Sequence, residues 1–319
     1  MRICITGGLG VIGSWITREV IGRGIRPIVL SRNKDLSLLP DCAGLFDYFS
    51  CDILDADRFN AILKREKIDR LIHAAAITRA LSEQDPIEAV KINSVGTAIV
   101  MDAAGKHNVE RVVFLSSGSI YDVWGKPAGT KITIDESFPL RPVHISRITK
   151  VNAEEIGRYF ARRYGFQFVA IRSSQMYGPG KLRHHGKAIH NLLIENAMRG
   201  VPTSLPKGSE HADDIIYAAD IAQGVVTASL CEKPKYDVYN IASGQSITLN
   251  GFADVVRKVF PAAKIDIGEG RDYMGTGLLV DRIFNIERAR QDLQFQPKYD
   301  VQAAIENYRS MLRIFEGIK

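Results

Sequence analysis

The stretch from Ile5 to Trp15, "ITGGLGVIGSW", decides the fold. It follows a short apolar run, "RICIT", and opens a helical pattern, "SWITREVIGRG", that ends at Gly24. Gly7, Gly10 and Gly13 stand in the turn between them. Glycine permits a tight turn and lets backbone come close to a pyrophosphate. The helix N-terminus adds unpaired N–H groups and a partial positive charge. A glycine triplet alone is weak evidence. Its place between a strand and a helix, with a second strand "IRPIVLS" behind it, makes it a dinucleotide cradle and not a surface turn.

Outward from this turn the first half alternates strand and helix patterns. "DADRFNAILKREK" is amphipathic, and "IDRLIHAAA" reads as a buried strand. "AVKINSVGTAIVMDAAGKH" is a long helix pattern, and "VERVVFLSS" a strand. "VNAEEIGRYFARRYG" and "FQFVAIRSS" repeat the alternation. Strands that are apolar on both faces and separated by helices predict an α/β fold, a doubly wound parallel sheet of Rossmann type. The second half is less regular. "AIHNLLIENAMRG" reads as a helix, "DIIYAADIAQGVVTASLCE" as a helix region, and "YDVYNIAS" as a strand. "LNGFADVVRKVF" and "NIERARQDL" read as helices. With no repeat and no flexible linker, the reading is a cofactor domain of residues 1–172 plus about 213–242. A smaller, interleaved, mainly C-terminal substrate lobe takes 173–212 plus about 243–319.

Composition excludes several classes. The chain has 319 residues, 45% hydrophobic and 24% charged, enough for one large domain or two interlocked ones. Its net charge of +6 comes from scattered basic residues, and no nucleic-acid reader motif accompanies them, so no nucleic-acid partner is expected. Cys4, Cys42, Cys51 and Cys231 lack metal-ligand spacing and read as free thiols in a reducing compartment. The opening "MRICITGG" already reads as a strand, and no apolar run approaches the roughly 18 residues of a membrane helix. A soluble cytoplasmic protein with no membrane contact is expected. His184 and His185 are adjacent, which does not suit one ion, so no metal is expected.

The second strand ends "VLSRN". A carboxylate there would take the adenosine ribose hydroxyls of NAD. The residues present are Ser31 and Arg32. Arg32 suits a 2′-phosphate, and no carboxylate repels one, so the cofactor is NAD(P) with NADP favoured.

Further motifs join the glycine turn. Asp52 follows the third strand in "CDILDAD", "HAAA" ends the fourth, and Asn93 lies in "INSVGT". "LSSGSIYD" ends the fifth strand, "YGPG" begins at Tyr177, and "YNIASGQSITL" and "RDY" come later. Together these resemble the extended short-chain dehydrogenase/reductase family, the NAD(P)-dependent sugar-nucleotide epimerases and dehydratases, over nearly the whole chain. The resemblance implies that Gly7, Gly10, Val11, Ile12 and Gly13 hold the pyrophosphate. It places Asp52 and Ile53 beside the adenine, lines the cofactor groove with Ala74, Ala75 and Ala76, and adds Asn93. Lys150 matches the lysine that binds the nicotinamide ribose and lowers the pKa of the family's catalytic Tyr. Ser117 matches the hydroxyl that bonds the reacting oxygen, and Ser173, Ser174 and Gln175 meet nicotinamide and substrate. The substrate would be a nucleotide-linked sugar, oxidised transiently to a ketone so that epimerisation or elimination can follow. A homodimer is implied on the same ground.

Two positions depart from the pattern. The residue four before Lys150, where the Tyr is expected, is Ser146. Its hydroxyl is shorter and far less acidic than a phenol. Another group can supply the proton: His144, Tyr121, Ser117, or a water held by Ser146 and Lys150. Alternatively the substrate brings its own acidic proton, or the site is a weak or inactive cofactor-binding one. Asp213 stands where the family has an Arg that binds the pyrophosphate, and an Asp would repel it. Lys181, Arg183, His184, His185, Lys187 and Arg271 are the nearby basic residues, with Arg183 and Arg271 the substrate-binding candidates. An NADPH-dependent carbonyl reductase on a non-nucleotide substrate is the alternative that Asp213 and Arg32 suggest.

Overall fold

The computed structural model describes residues 1–180, 188–273, 275, 277 and 279–317. Its main sheet begins with β1 (Ile3–Thr6), β2 (Ile28–Ser31), β3 (Asp47–Ser50) and β4 (Arg70–His73). It continues with β5 (Arg111–Leu115), then β7 (Gln167–Ser173) after the separate strand β6 (Lys131–Ile134). With a late strand, β11 (Val238–Ile241), the order is β11-β7-β5-β4-β1-β2-β3, and all pairings are parallel. All four residues of β1 and all five of β5 are buried, as central strands covered on both faces require.

Helices α1 (Val11–Gly22) and α8 (Ala218–Leu230) pack on one face. On the other, α2 (Ala56–Glu66) and α6 (Ile145–Tyr164) flank α5 (Thr97–Lys106). Short helices α3 (Arg79–Gln84) and α4 (Pro86–Val90) lead through one π-helical stretch, Lys91–Gly96, into α5. This confirms the long helix read at that place. Helix α6 ends on Gly165, whose φ of 84° is left-handed, with Arg162 and Arg163 in its last turn. The crossing from β1 to β2 on one side and β4 on the other makes the switch point at which such sheets open a crevice.

The remaining strands are short. β8 (Gln175–Tyr177), β10 (Ala212–Tyr217) and β12 (Ser246–Thr248) form one sheet, and β9 (Thr203–Leu205) pairs β13 (Ile265–Ile267). β14 (Asp281–Phe284) pairs β6, tying the C-terminal part to the segment after β5. One sequence expectation changes here. "DIIY" is the end of strand β10 and not part of a helix, and the chain returns to the main sheet only from Ala218. The smaller lobe is indeed interleaved with the larger one. Among the described residues no helix is long and apolar enough to cross a membrane.

Candidate active site

Since the main sheet is parallel, the C-terminal ends of β1, β4, β5 and β7 emerge along one edge. That edge carries Gly7, Ala74, Ser116 and Ser174. At the glycine turn Gly7 has φ 67°, and a Cβ there would lie 2.8 Å from the Ala75 backbone. A Cβ on Gly13 would lie 1.9 Å from the Gly7 carbonyl oxygen. Gly10 precedes α1 with no side chain to cap it, and the first turn holds no acid, so the leading N–H groups of α1 stay available to an anion. Half-buried Val11 and Ile12 form that first turn. Any side chain at Gly7 or Gly13 would fill this cradle, which fits the pyrophosphate of a dinucleotide.

The groove floor is a buried hydrogen-bond chain. Thr6 Oγ1 lies 2.7 Å from His73 Nδ1, and His73 Nε2 lies 2.9 Å from Thr97 Oγ1. Thr97 donates its own proton to the Asn93 carbonyl, so it accepts from Nε2–H, and Thr6 donates to Nδ1. The imidazole is thereby held neutral in one tautomer. Burial, with the Lys150 charge second, pushes its pKa down to about 3. Ala74, Ala75 and Ala76 are half-buried above this floor. Asn93 is buried. Its amide accepts from Ile77 N–H and donates to Ile77 C=O and Thr149 Oγ1. It brackets α6 against the segment after β4 and has no amide hydrogen left for a cofactor.

At the groove's outer end Ser31 is half-buried, and Arg32 is exposed: its carbonyl accepts from Ser50 Oγ, and its guanidinium makes no hydrogen bond or ion pair among the described residues. Asp52 caps its own turn through Leu54 N–H. Ile53 is buried, so close to Gly96 that a Cβ there would sit 2.6 Å away.

At the other end Ser117 begins a short turn. Its Oγ lies 2.8 Å from Ser119 Oγ and accepts from Ser119 N–H. Gly118 closes the site: a Cβ there would lie 2.4 Å from the Phe284 ring and 2.8 Å from Ser173 C=O. Lys150 donates to the Leu115 carbonyl at the end of β5, and its Nζ lies 4.7 Å from the centre of the Phe114 ring. Burial pulls the amine down to about 8, with Glu154 acting in the opposite sense. Ser146 is half-buried one turn earlier on the same helix, and its carbonyl accepts from Thr149. Ser117 and Lys150 are thus both held at the end of β5.

The other proton-transfer candidates fare differently. Tyr121 is fully buried, donates to Asn240 Oδ1 at 2.7 Å and accepts from Arg172. Burial pushes its phenol up to about 12. It is a core residue whose hydroxyl is engaged both as donor and as acceptor. His144 precedes α6 and lies 3.8 Å from Glu83 of α3, turned to a surface ion pair.

The substrate side also differs from expectation. Asp213 is not an open charge, because buried Arg282 of β14 meets it with two hydrogen bonds, one of 2.9 Å. Arg271 pairs with Asp281. Gln175 donates to the Tyr273 hydroxyl at 3.4 Å. Ser174 donates to Asp214, which also accepts from Ser243, Gly244 and Phe284 N–H. Asp214 therefore pins β7, β11 and β14 together. Its burial raises its pKa to about 6 against those donors. Lys181, Arg183, His184, His185 and Lys187 lie outside the described residues.

Sequence reasoning missed one feature beneath the site. Glu154, one turn past Lys150, is 1% exposed and receives Arg172 at 2.7 and 3.0 Å and Ser116 Oγ at 2.5 Å. A single carboxylate so joins α6 to the ends of β5 and β7. The signal was an Arg inside the apolar run "FVAIRSS": a charge in a strand buried on both faces needs a partner.

The NAD dependent epimerase/dehydratase family matches residues 3–242. The chain belongs to this family. As a member it is an enzyme of the NAD-dependent epimerase/dehydratase sort and uses a nicotinamide cofactor. A putative UDP-glucose 4-epimerase of Methanocaldococcus jannaschii is 25% identical over 260 residues, 80% of this chain and 81% of that protein. A dTDP-4-dehydro-6-deoxyglucose reductase of Escherichia coli is 24% identical, covering 98% of this chain and 97% of that protein. Among solved structures, the UDP-glucose 4-epimerase of Thermotoga maritima with UDP-glucose superposes with a TM-score of 0.82. It is 22% identical and covers 98% of this chain and 100% of its own. At that identity the likeness is one of fold.

Proposed function

We propose that this family member acts on a nucleotide-linked sugar through a transient ketone, as an epimerase or dehydratase with an unusual acid/base. The observation that carries the reading is the meeting of the glycine cradle, Ser117 and Lys150 along one edge of the sheet. When bound, a nicotinamide cofactor supplies reversible hydride transfer at a carbinol carbon. Gly7, Gly10, Val11, Ile12 and Gly13 would hold its pyrophosphate. Ala74, Ala75, Ala76, Ser173 and Ser174 would line its path, and Asp52 and Ile53 would flank its adenine. Ser117 would hydrogen-bond the reacting oxygen. Lys150 would hold the nicotinamide ribose, and Gln175 and Arg271 would meet the substrate. In this reading the sugar would lie between the main sheet and the lobe around β8, β10 and β12. A homodimer in the cytoplasm accompanies this reading.

The discriminating experiment is purification followed by turnover of UDP- and dTDP-hexoses. Oxidised cofactor retained at full occupancy, with product formed and no net NADPH consumed, is expected. Net NADPH consumption would instead support a carbonyl reductase, a reading favoured by the Asp213–Arg282 pair, which already neutralises that buried guanidinium. Tight cofactor binding without any turnover would leave a binding protein.

Arg32, exposed and unpaired, supports NADP over NAD. Arg32→Ala is expected to raise the NADP dissociation constant about tenfold, the worth of one charge-assisted contact at roughly 1.4 kcal/mol, and to leave that of NAD unchanged. Equal effects on both cofactors, measured by fluorescence titration, would remove the preference.

A further inference from the structure

We infer that Lys150 is itself the group that accepts and returns the substrate proton in this chain. The inference rests on the function proposed above. Its geometric basis is an amine that donates to the Leu115 carbonyl at the end of β5 and has no ion pair among the described residues. The nearest carboxylate along its helix, Glu154, is engaged by Arg172, Arg158 and Ser116. From β4, His73 faces it as a neutral imidazole. From β5 it meets only the Phe114 ring and the Leu115 carbonyl. From β7 the charged group is Arg172, already paired with Glu154. A buried ammonium without a paired anion is disfavoured, and this favours the free amine. Its displacement to about 8 moves the amine toward its unprotonated form near neutral pH.

The rivals are weaker. Tyr121 is locked in the core. His144 stands before α6 beside Glu83. Serine hydroxyls at 117 and 146 are too weakly acidic to lose their own proton near neutral pH and so cannot accept the substrate's proton alone, though either can pass it on.

The step balances. The lone pair of neutral Nζ takes the proton of the substrate's carbinol O–H, directly or through Ser146 Oγ. The O–H electrons form the C=O bond, and the C–H pair leaves as hydride to an oxidised nicotinamide. Nζ becomes an ammonium and returns the same proton when the hydride comes back to the ketone.

Two measurements test this on the cofactor-loaded enzyme. The first is competitive labelling of lysines with acetic anhydride across pH, read by mass spectrometry. Lys150 is expected to label with a midpoint near 8, about two units below a surface lysine near 10.4. A midpoint near 10 overturns the proposal, whatever sugar is or is not turned over. The second is Lys150→Arg, which keeps a cation that cannot give up its proton. A fall in kcat of a hundredfold or more that persists at saturating cofactor supports the amine as the base. Wild-type turnover overturns it. Should Lys150→Arg fail to fold, the kcat–pH profile of Ser146→Ala takes its place. A profile still rising through about pH 8 supports Lys150, and one with no inflection there overturns it. Failure of the function proposed above shows separately, as absent turnover by wild-type protein that still binds cofactor.

Discussion

Gly13→Ala is expected to abolish measurable dinucleotide binding, with a loss of at least a hundredfold, about 2.7 kcal/mol. The added methyl would meet the Gly7 carbonyl oxygen at 1.9 Å, Gly7 C at 2.8 Å and Gly8 Cα at 2.9 Å. All three are backbone atoms, so no rotamer change relieves the overlap. The turn between β1 and α1 must open, and the leading N–H groups of α1 then no longer converge on one anion. Gly10→Ala is the informative control. Its Cβ would meet only the Gly7 oxygen, at 3.2 Å, and φ there is −72°, which any residue adopts. It should cost less than about tenfold, near 1.4 kcal/mol. Isothermal titration of both variants with NAD and NADP, alongside circular dichroism to verify folding, decides the matter. Gly13→Ala binding like the wild type would show that this turn does not hold the cofactor.

These contrasts show which parts of the molecule a sequence exposes. The cradle and the main sheet were legible because their determinants are local: buried four- and five-residue strands, and glycines placed between strand and helix. Strand β10 was not. "DIIY" is a short apolar run leading straight into α8, and all six residues of β10 are buried, so neither a period of two nor one of 3.6 distinguishes it. Its neighbours β8 and β12 are three residues long and too short to show a pattern. The site residues divide in the same way. Ser117 and Lys150 are placed by the ends of their own elements. Asp213 read as an unwelcome charge because its partner, Arg282, is 69 residues away. Tyr121 looked like a spare phenol because Asn240, which takes its proton, lies 119 residues on. Asn93 is tied over a distance in the same way: Thr149, 56 residues away, claims one of its amide hydrogens. Long-range pairing of polar groups is what burial demands and what local sequence cannot display.

The largest effect on stability is expected at the other pairing that only the fold revealed. Arg172→Met should destabilise the protein by about 3–5 kcal/mol, the usual result of removing one member of a buried ion pair. It would leave Glu154, 1% exposed, with only Ser116 and a 3.3 Å contact from Arg158. It would also strip a donor from Tyr121 and from the Glu136 carbonyl. Glu154→Gln is expected to cost a similar amount by leaving the guanidinium buried without its anion. The double replacement should cost clearly less than the sum, since it leaves neither charge alone, and urea unfolding of the four proteins measures that coupling. Single losses below about 1 kcal/mol would mean that the pair is held by its neighbours and adds little itself. The same cycle reaches the chemistry. Among the described residues the Glu154 carboxylate favours the Lys150 ammonium against burial, so Glu154→Gln is expected to lower the labelling midpoint of Lys150. The unprotonated fraction at pH 7 then rises, and the pH at which turnover climbs moves down with it. A variant that is less stable yet turns over faster below pH 8 separates a carboxylate that tunes the base from one that only braces the fold. An unmoved Lys150 midpoint in Glu154→Gln would assign Glu154 to bracing alone.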